Sequence, residues 1–493
     1  MRNINFNGAS WDSILLTFVK ILTVLTSIIL TKILSKGLSL LEYGTYSQAN
    51  IIISITTSFL LLGLGDALNY FYNSCENENF RNDREKFINT IYFLEIIFGI
   101  ILALILIILR RYIANYFSNK LLESLIIIIS TKPFLDNLVY FYQILYVSIK
   151  KAKLIALRNL LIAIFKIIII YVSINILKKL EYIFLLLILL DIFQLCFFKF
   201  YFIREGFLIN PLKIKKEYIK IILAYSLPMG IFSITNALTR DIDKIIIGRL
   251  STTEILAVYS NCSKLLPFDI LTVSFATVLI PYITRYMAKN EKIRATLLFK
   301  SYIKIGYYSV WILGVSVLIV SKQVITFLYS EKYIIGNIVF IIYILDSMIR
   351  FASIHLILTA KGKTKLLMKY SIISLGINTI LNIIGYKIFG IIGPAIATLI
   401  TAIIYIKLVL NKTIEFLETA WSKVFDIKEI LIFISILLFT SIVIFYFNKI
   451  LLNMNVHQYI SMIISMGIFI IINFLFVRKK IISTLKDINS LKL

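Results

Sequence analysis

Apolar residues in this chain come in runs of about 20, separated by short polar loops rich in lysine and arginine. A helix gains about 1.5 Å per residue and needs about 20 apolar residues to cross a bilayer's hydrocarbon. The pattern therefore predicts fourteen membrane helices, over about 13–34, 46–66, 88–109, 122–147, 154–176, 181–203, 218–247, 255–279, 301–320, 334–358, 367–388, 391–411, 428–447 and 457–477. No predicted loop is longer than about 20 residues, which leaves no room for a soluble catalytic domain. The first run follows a short polar lead without an A-x-A cleavage pattern, so it reads as a retained helix. The expected fold is all-α and polytopic.

Composition agrees: 59% of the residues are hydrophobic and mean hydropathy is +0.91. The net charge of +26 would suit a nucleic-acid binder, but its placement argues otherwise. With the N-terminus in the cytoplasm, inner loops and tails carry roughly 29 Lys and Arg against roughly 10 outside. The charge is then topological and suits the anionic lipids of an inner leaflet. The expectation is a plasma-membrane protein with both termini cytoplasmic and no nucleic-acid partner. Cys75, Cys196 and Cys262 are too few and too scattered for a disulfide framework or a metal site.

Two halves of the chain repeat. Lys151-Ala-Lys-Leu154 returns as Lys363-Thr-Lys-Leu366, and Ser39-x-x-Glu42 returns as Ser251-x-x-Glu254, both at an offset of 212. Leu135-Asp-Asn137 answers Leu345-Asp-Ser347 at nearly the same offset. Ser-x-x-Glu is a capping box, so a helix in each half is expected to start alike near Ser39 and Ser251. The repeat predicts two six-helix lobes, 1–205 and 206–411, in parallel orientation because six is even. Two further helices and a basic tail occupy 412–493.

Polar residues inside these spans are costly and each needs a reason. Ser13, Thr17, Lys20, Ser27 and Thr31 share one face of the first helix; Asn159, Lys166 and Ser173 share one on the fifth. Such stripes read as helix–helix seams or, at the two lysines, as the wall of a water-filled cavity. Arg350 is a third candidate cation, although its i,i+4 spacing from Asp346 reads first as a structural pair. Asp136, Asp191, Asp269 and Asp346 are candidate ion- or proton-coupling acids, or partners for basic residues. Ser371, Asn378 and Asn382 mark a polar seam, and Arg240–Asp243 and Asp241–Lys244 are i,i+3 pairs. Pro133, Pro228, Pro267 and Pro394 are expected to kink their helices. Catalytic patterns are missing: Gly362-Lys363-Thr364 lacks the earlier P-loop glycine, since position 357 is Ile. No enzymatic activity, cofactor or metal is expected.

Several motifs bring a family to mind: Ser226-Leu-Pro228; Asp243-Lys-Ile-Ile-Ile-Gly248 followed by Ser251-x-x-Glu254 and Tyr259; Ala360-Lys-Gly-Lys-Thr-Lys365; and Asn378-x-x-x-Asn382 followed by Gly390-Ile-Ile-Gly-Pro-Ala395. Over nearly its whole length the chain resembles the Wzx-type polysaccharide flippases of the multidrug/oligosaccharidyl-lipid/polysaccharide exporter superfamily. It departs from them at Ala257, where the family often has glycine. The resemblance implies a bilobed fourteen-helix transporter that moves an undecaprenyl-diphosphate-linked oligosaccharide to the outer leaflet by rocking of its lobes. It also implies a groove at helices thirteen and fourteen for the lipid tail, and polysaccharide polymerase and glycosyltransferases as functional partners. Fixed cations such as Lys20 and Lys166 would suit the pyrophosphate. Three alternatives stay open: a multidrug/cation antiporter, which would favour the acids; a peptidoglycan-precursor flippase; and a membrane-embedded polymerase, which usually brings a large outer loop that this chain lacks.

Overall fold

In hydrocarbon every backbone amide must be bonded within the protein, so apolar runs of this length form helices. The computed structural model describes residues 8–74, 84–149, 152–204, 209–211, 213–268 and 270–492. Among them, twelve helices are long and apolar enough to cross a membrane. The chain forms two compact units, Met1–Ala257 and Val258–Leu493. The helix that opens the second sequence half thus packs in the first unit, so the packing units and the repeat divide the chain at different places.

The first unit holds α1 (Gly8–Gly37), α2 (Leu40–Leu61), α3 (Leu64–Ser74), α4 (Arg84–Tyr116), α5 (Leu121–Ile129), α6 (Lys132–Ser148), α7 (Ala152–Val172) with a closing π turn (Ser173–Leu177), α8 (Leu180–Arg204) and α9 (Lys216–Leu250). α1 lies along α7, while α2 packs on α5, α6 and α9, and α4 on α5 and α6. Two apolar clusters result. One gathers Tyr43, Phe117, Ile126, Ile129 and Phe184; the other gathers Phe87, Val139, Phe141, Tyr146 and Phe198. Along α5 and α6, Ile129 belongs to the first and Val139 to the second, with Lys132 to Asp136 between them in the sequence.

α10 (Thr253–Cys262) joins the units. The second unit continues with α11 (Ile270–Ala288), α12 (Lys292–Ile319), α13 (Ser321–Leu328), a 3-10 turn (Glu331–Gly336), α14 (Asn337–Ile349), α15 (Leu356–Ala360), α16 (Thr364–Phe389), α17 (Ile392–Leu417), α18 (Trp421–Val424), α19 (Ile427–Asn453) and α20 (Gln458–Lys492). Its core joins Phe299, Tyr302, Tyr308, Leu410, Phe433 and Phe469. Many large apolar side chains face outward, among them Ile101, Leu104 and Ile108 on α4 and Leu438, Phe439 and Ile442 on α19. A surface with so much exposed apolar area is one built for lipid.

Several predicted spans are broken. The run at 46–66 is interrupted at Leu62 and Gly63, with φ of 35° and 70°. The run at 255–279 is split by the irregular stretch 263–268, which holds Pro267. The run at 122–147 breaks before Pro133, at the start of α6, and the run at 334–358 breaks after Ile349. Pro228 stays inside a continuous α9. Caps also differ from expectation. Ser39 makes the full capping box with Glu42, but Ser251 closes α9, and it is the Thr252 hydroxyl that accepts from the Ile255 amide, at 3.3 Å.

The break at Gly63 meets α9 backbone to backbone. A Cβ at Gly63 would lie 2.3 Å from the Ser226 carbonyl oxygen, and one at Gly230 would lie 2.5 Å from the Leu62 carbonyl carbon. Left-handed backbone costs a non-glycine residue about 1–3 kcal/mol before any clash. Gly63→Ala should therefore lower the unfolding temperature of the purified protein; an unchanged midpoint would mean this crossing does not hold the first unit together. In the second unit, Lys292 at the start of α12 pairs with Glu418 just past the end of α17 and holds that carboxyl below its ordinary value. The Glu418 side chain is 70% exposed, so the pair adds little to stability.

Candidate functional site

Within the first unit, α1, α6, α7 and α8 enclose a cavity of about 490 Å³. Thr23, Thr26 and Ser27 line it from α1, Asp136, Tyr140 and Gln143 from α6, Arg158, Asn159 and Lys166 from α7, and Asp191 and Gln194 from α8. The polar positions that sequence periodicity placed on one face of the fifth span, Asn159 and Lys166, thus meet Ser27 of the first span. Ser173, the third of that stripe, is buried and donates to the Ile169 carbonyl oxygen at 2.8 Å.

Lys132 organises the charge. It sits where α6 begins, one turn before Asp136, and bonds both that carboxylate and Asp191 at 2.6 Å. Gln194 donates to the second oxygen of Asp191 at 3.1 Å. Asp191 is 4% exposed, so its charge is matched inside the protein, as a buried charge requires. Arg158 is held by amides: it donates to Gln194 and to Asn159 at 2.8 Å, and Gln143 with its amide turned offers an oxygen at 2.7 Å. Its guanidinium also lies 5.6 Å from the Phe198 ring centre. Two cations, Arg158 and Lys166, and two acids, Asp136 and Asp191, line the cavity, and both acids are engaged by Lys132 behind the wall. Among the described residues no carboxylate lies within salt-bridge reach of Lys166.

The other candidates lie elsewhere. Arg350 and Asp346 are in the second unit, joined at 2.8 Å at the end of α14. Asp346 is 2% exposed, so Arg350→Gln takes a charged donor from a buried carboxylate. It should cost about 1–3 kcal/mol, seen as a lower folded yield; an unchanged yield would leave Arg350 free for another role. Lys20 belongs to α1, but its side chain lies outside the described residues, as does all of Asp269. Arg240 bonds Asp241 at 3.4 Å and Ser54 at 2.8 Å in place of the expected Asp243, and Lys244 joins Asp241 at 2.8 Å as expected. This cluster ties α9 to α2. Asn382 donates to Asn378 at 3.0 Å, and Asn378 to Thr401 at 3.3 Å, forming the expected polar seam between α16 and α17.

Sequence reasoning missed Lys132 and Arg158. The signal for Lys132 was its i,i+4 spacing from Asp136 at an X-Pro helix start.

A second feature is an apolar groove of about 1150 Å³ in the second unit. It is lined by Trp311, Val315, Leu318, Met348, Leu437, Leu438, Ile442 and Phe445, with Ser321, Lys322, Gln323, Ser441 and Asn448 among its polar members.

The all-α fold is similar to the folds of a solved lipid II flippase and of solved multidrug transporters. Its TM-score is 0.71 against the lipid II flippase MurJ in an inward closed conformation, at 17% identity, covering 96% of this chain and 99% of that one. Against an inward-facing multidrug resistance MATE family transporter it is 0.61, at 12% identity, covering 82% and 96%. A Pyrococcus furiosus MOP superfamily transporter, described as having a binding pocket of reverse polarity, gives 0.57 at 12% identity, covering 82% and 94%. Nothing matches among curated protein sequences. Residues 29–335 match the polysaccharide biosynthesis protein family, and the chain belongs to it.

Proposed function

We propose that this chain is a flippase that carries an undecaprenyl-diphosphate-linked oligosaccharide from the inner to the outer leaflet by alternating access. The observation that carries this reading is Lys166: a cation on a cavity wall whose acids are already engaged by Lys132. A diphosphate needs such a charge, held by the protein where water is scarce. A cation antiporter needs the opposite, an acid free to take a cation. The groove of the second unit is a fitting wall for the polyprenyl chain, because it is apolar along most of its lining. On this reading the protein is a transporter and not an enzyme. It sits in the plasma membrane with both termini in the cytoplasm, where its basic loops meet anionic lipids. It receives lipid-linked glycan from glycosyltransferases and delivers it to a polymerase.

Deleting the gene should leave lipid-linked oligosaccharide on the inner leaflet and deplete the surface polymer. Normal surface glycan with lost resistance to cationic drugs would overturn the proposal in favour of antiport. A lipid II-type precursor is the second reading, favoured by the full-length likeness to the MurJ fold. In that case deletion would impair the cell wall and spare the surface glycan.

A further inference from the structure

Beside the cavity of the first unit, α3 crosses α6 closely. A Cβ at Gly65 would lie 2.8 Å from the Tyr140 ring and 2.8 Å from the end of Ile144. The next residue, Asp66, is exposed, and its charge acts on the hydroxyls of Tyr140 and of Tyr225 on α9. Tyr70 follows Asp66 by four residues and shares its face of α3. The Tyr70 ring stacks on that of Tyr225, with centroids 4.5 Å apart and planes 16° from parallel. Phe71 meets both rings edge-on, at 5.2 and 5.7 Å, and holds the pair in place. Tyr70 is 48% exposed and Tyr140 44%. Among the described residues no Lys, Arg or His pairs with Asp66.

A carboxylate without a cation is not stable against hydrocarbon, so this patch faces an aqueous space. Tyr140 says which one, because it also lines the cavity that holds Arg158 and Lys166. The patch continues that cavity onto α3. A sugar ring offers hydroxyl donors around its rim and C–H groups across its face. A carboxylate accepts from two hydroxyls at once, in bonds strengthened by its charge, and the negative face of a tyrosine ring takes the C–H groups. An exposed acid between exposed tyrosines supplies both. A lipophilic cation is also drawn to acids and rings. Here, however, Tyr70 and Tyr225 lie flat on each other as a platform and do not wall a cage, and Arg158 and Lys166 repel a cation from the adjoining space.

We infer that Asp66, Tyr70 and Tyr140 form a saccharide subsite, which takes the neutral, hydroxyl-rich sugar next to the diphosphate. Asp66 accepts from the hydroxyls of that sugar and turns away an anionic one, while the tyrosine rings fix its plane. The place of this sugar in transport rests on the flippase reading; its binding to the patch does not.

The test uses full-length protein in detergent and methyl glycosides of neutral hexoses and N-acetylhexosamines, followed by saturation-transfer NMR. Saturation of the aromatic protons should pass to the ring C–H protons of at least one glycoside, and be lost in Asp66→Ala and in Tyr70→Leu. Lys166→Gln should leave it intact, because that lysine serves the diphosphate. If Asp66→Ala fails to insert, Asp66→Asn, which keeps one acceptor oxygen, should retain only part of the signal. In vesicles, Asp66→Ala should slow transport of undecaprenyl-diphosphate-linked oligosaccharide at limiting lipid by roughly tenfold, the worth of one charge-assisted hydrogen bond. No saturation in the natural chain, or equal saturation in Asp66→Ala, would overturn the inference. So would tetraphenylphosphonium that binds the natural chain but not Asp66→Ala, with no glycoside saturated: the patch would then be a cation site. If glycosides bind as expected but no lipid-linked oligosaccharide moves in the natural chain, the flippase reading fails and the saccharide subsite stands.

Discussion

Lys166→Gln should lose most transport while the amount of inserted protein stays the same. Glutamine keeps polarity and much of the length but removes the charge, and a span that loses a charge is easier to insert. A hydrogen bond from a charged donor to a phosphate contributes about 1.5–3 kcal/mol, which corresponds to about a 10- to 160-fold fall in rate if the bond is needed at the barrier. Lys166→Arg should keep part of the activity, because the charge survives with a different shape. Lys20→Gln is expected to behave like Lys166→Gln. The measurement is transport per unit of inserted protein in vesicles. Near-normal values for both glutamine variants would sink the cationic cavity, and the stripes on the first and fifth spans would then be packing seams.

Lys132→Gln should fail in the opposite way, by loss of the folded state. Its ammonium bridges Asp136 and Asp191, and the Asp191 side chain is only 6% exposed. Removing one partner of a buried ion pair costs about 3–5 kcal/mol, because the remaining carboxylate is left charged with too few donors. Lys132→Gln should therefore unfold at a clearly lower temperature, and adding Asp191→Asn should recover part of the loss by removing the stranded charge. Asp136→Asn should cost less, since that side chain is 35% exposed. A Lys132→Gln protein as stable as the natural one would show that the bridge is not what keeps the two acids ionised.

The membrane helices were legible in the sequence because one length scale, the thickness of the hydrocarbon, fixes the length of every apolar run. Their interruptions were not. The turn at Leu62–Gly63 exists because α9 presses against it, and no window of sequence around Gly63 contains Ser226 or Gly230. The stripe on the fifth span was readable because Asn159 and Lys166 are seven residues apart, two turns on one face. Arg158, next to Asn159, was not legible because its partner Gln194 lies on another helix, and Gln194 and Asn159 together hold it inside the bundle.

The wall of the apolar groove has a consequence for handling the protein outside its membrane. α19 is fastened to its neighbours by amides and hydroxyls: Asn448 donates to Gln323 at 3.1 Å and accepts from Ser465 at 3.2 Å, and Asn473 donates to Thr440 at 3.1 Å. Such bonds are satisfied inside the bundle and do not depend on the lipid around it. Extraction into a mild detergent should therefore strip the lipid from the groove without peeling α19 away. The purified protein would then present an empty, preformed slot that detergent chains can fill in competition with the natural lipid.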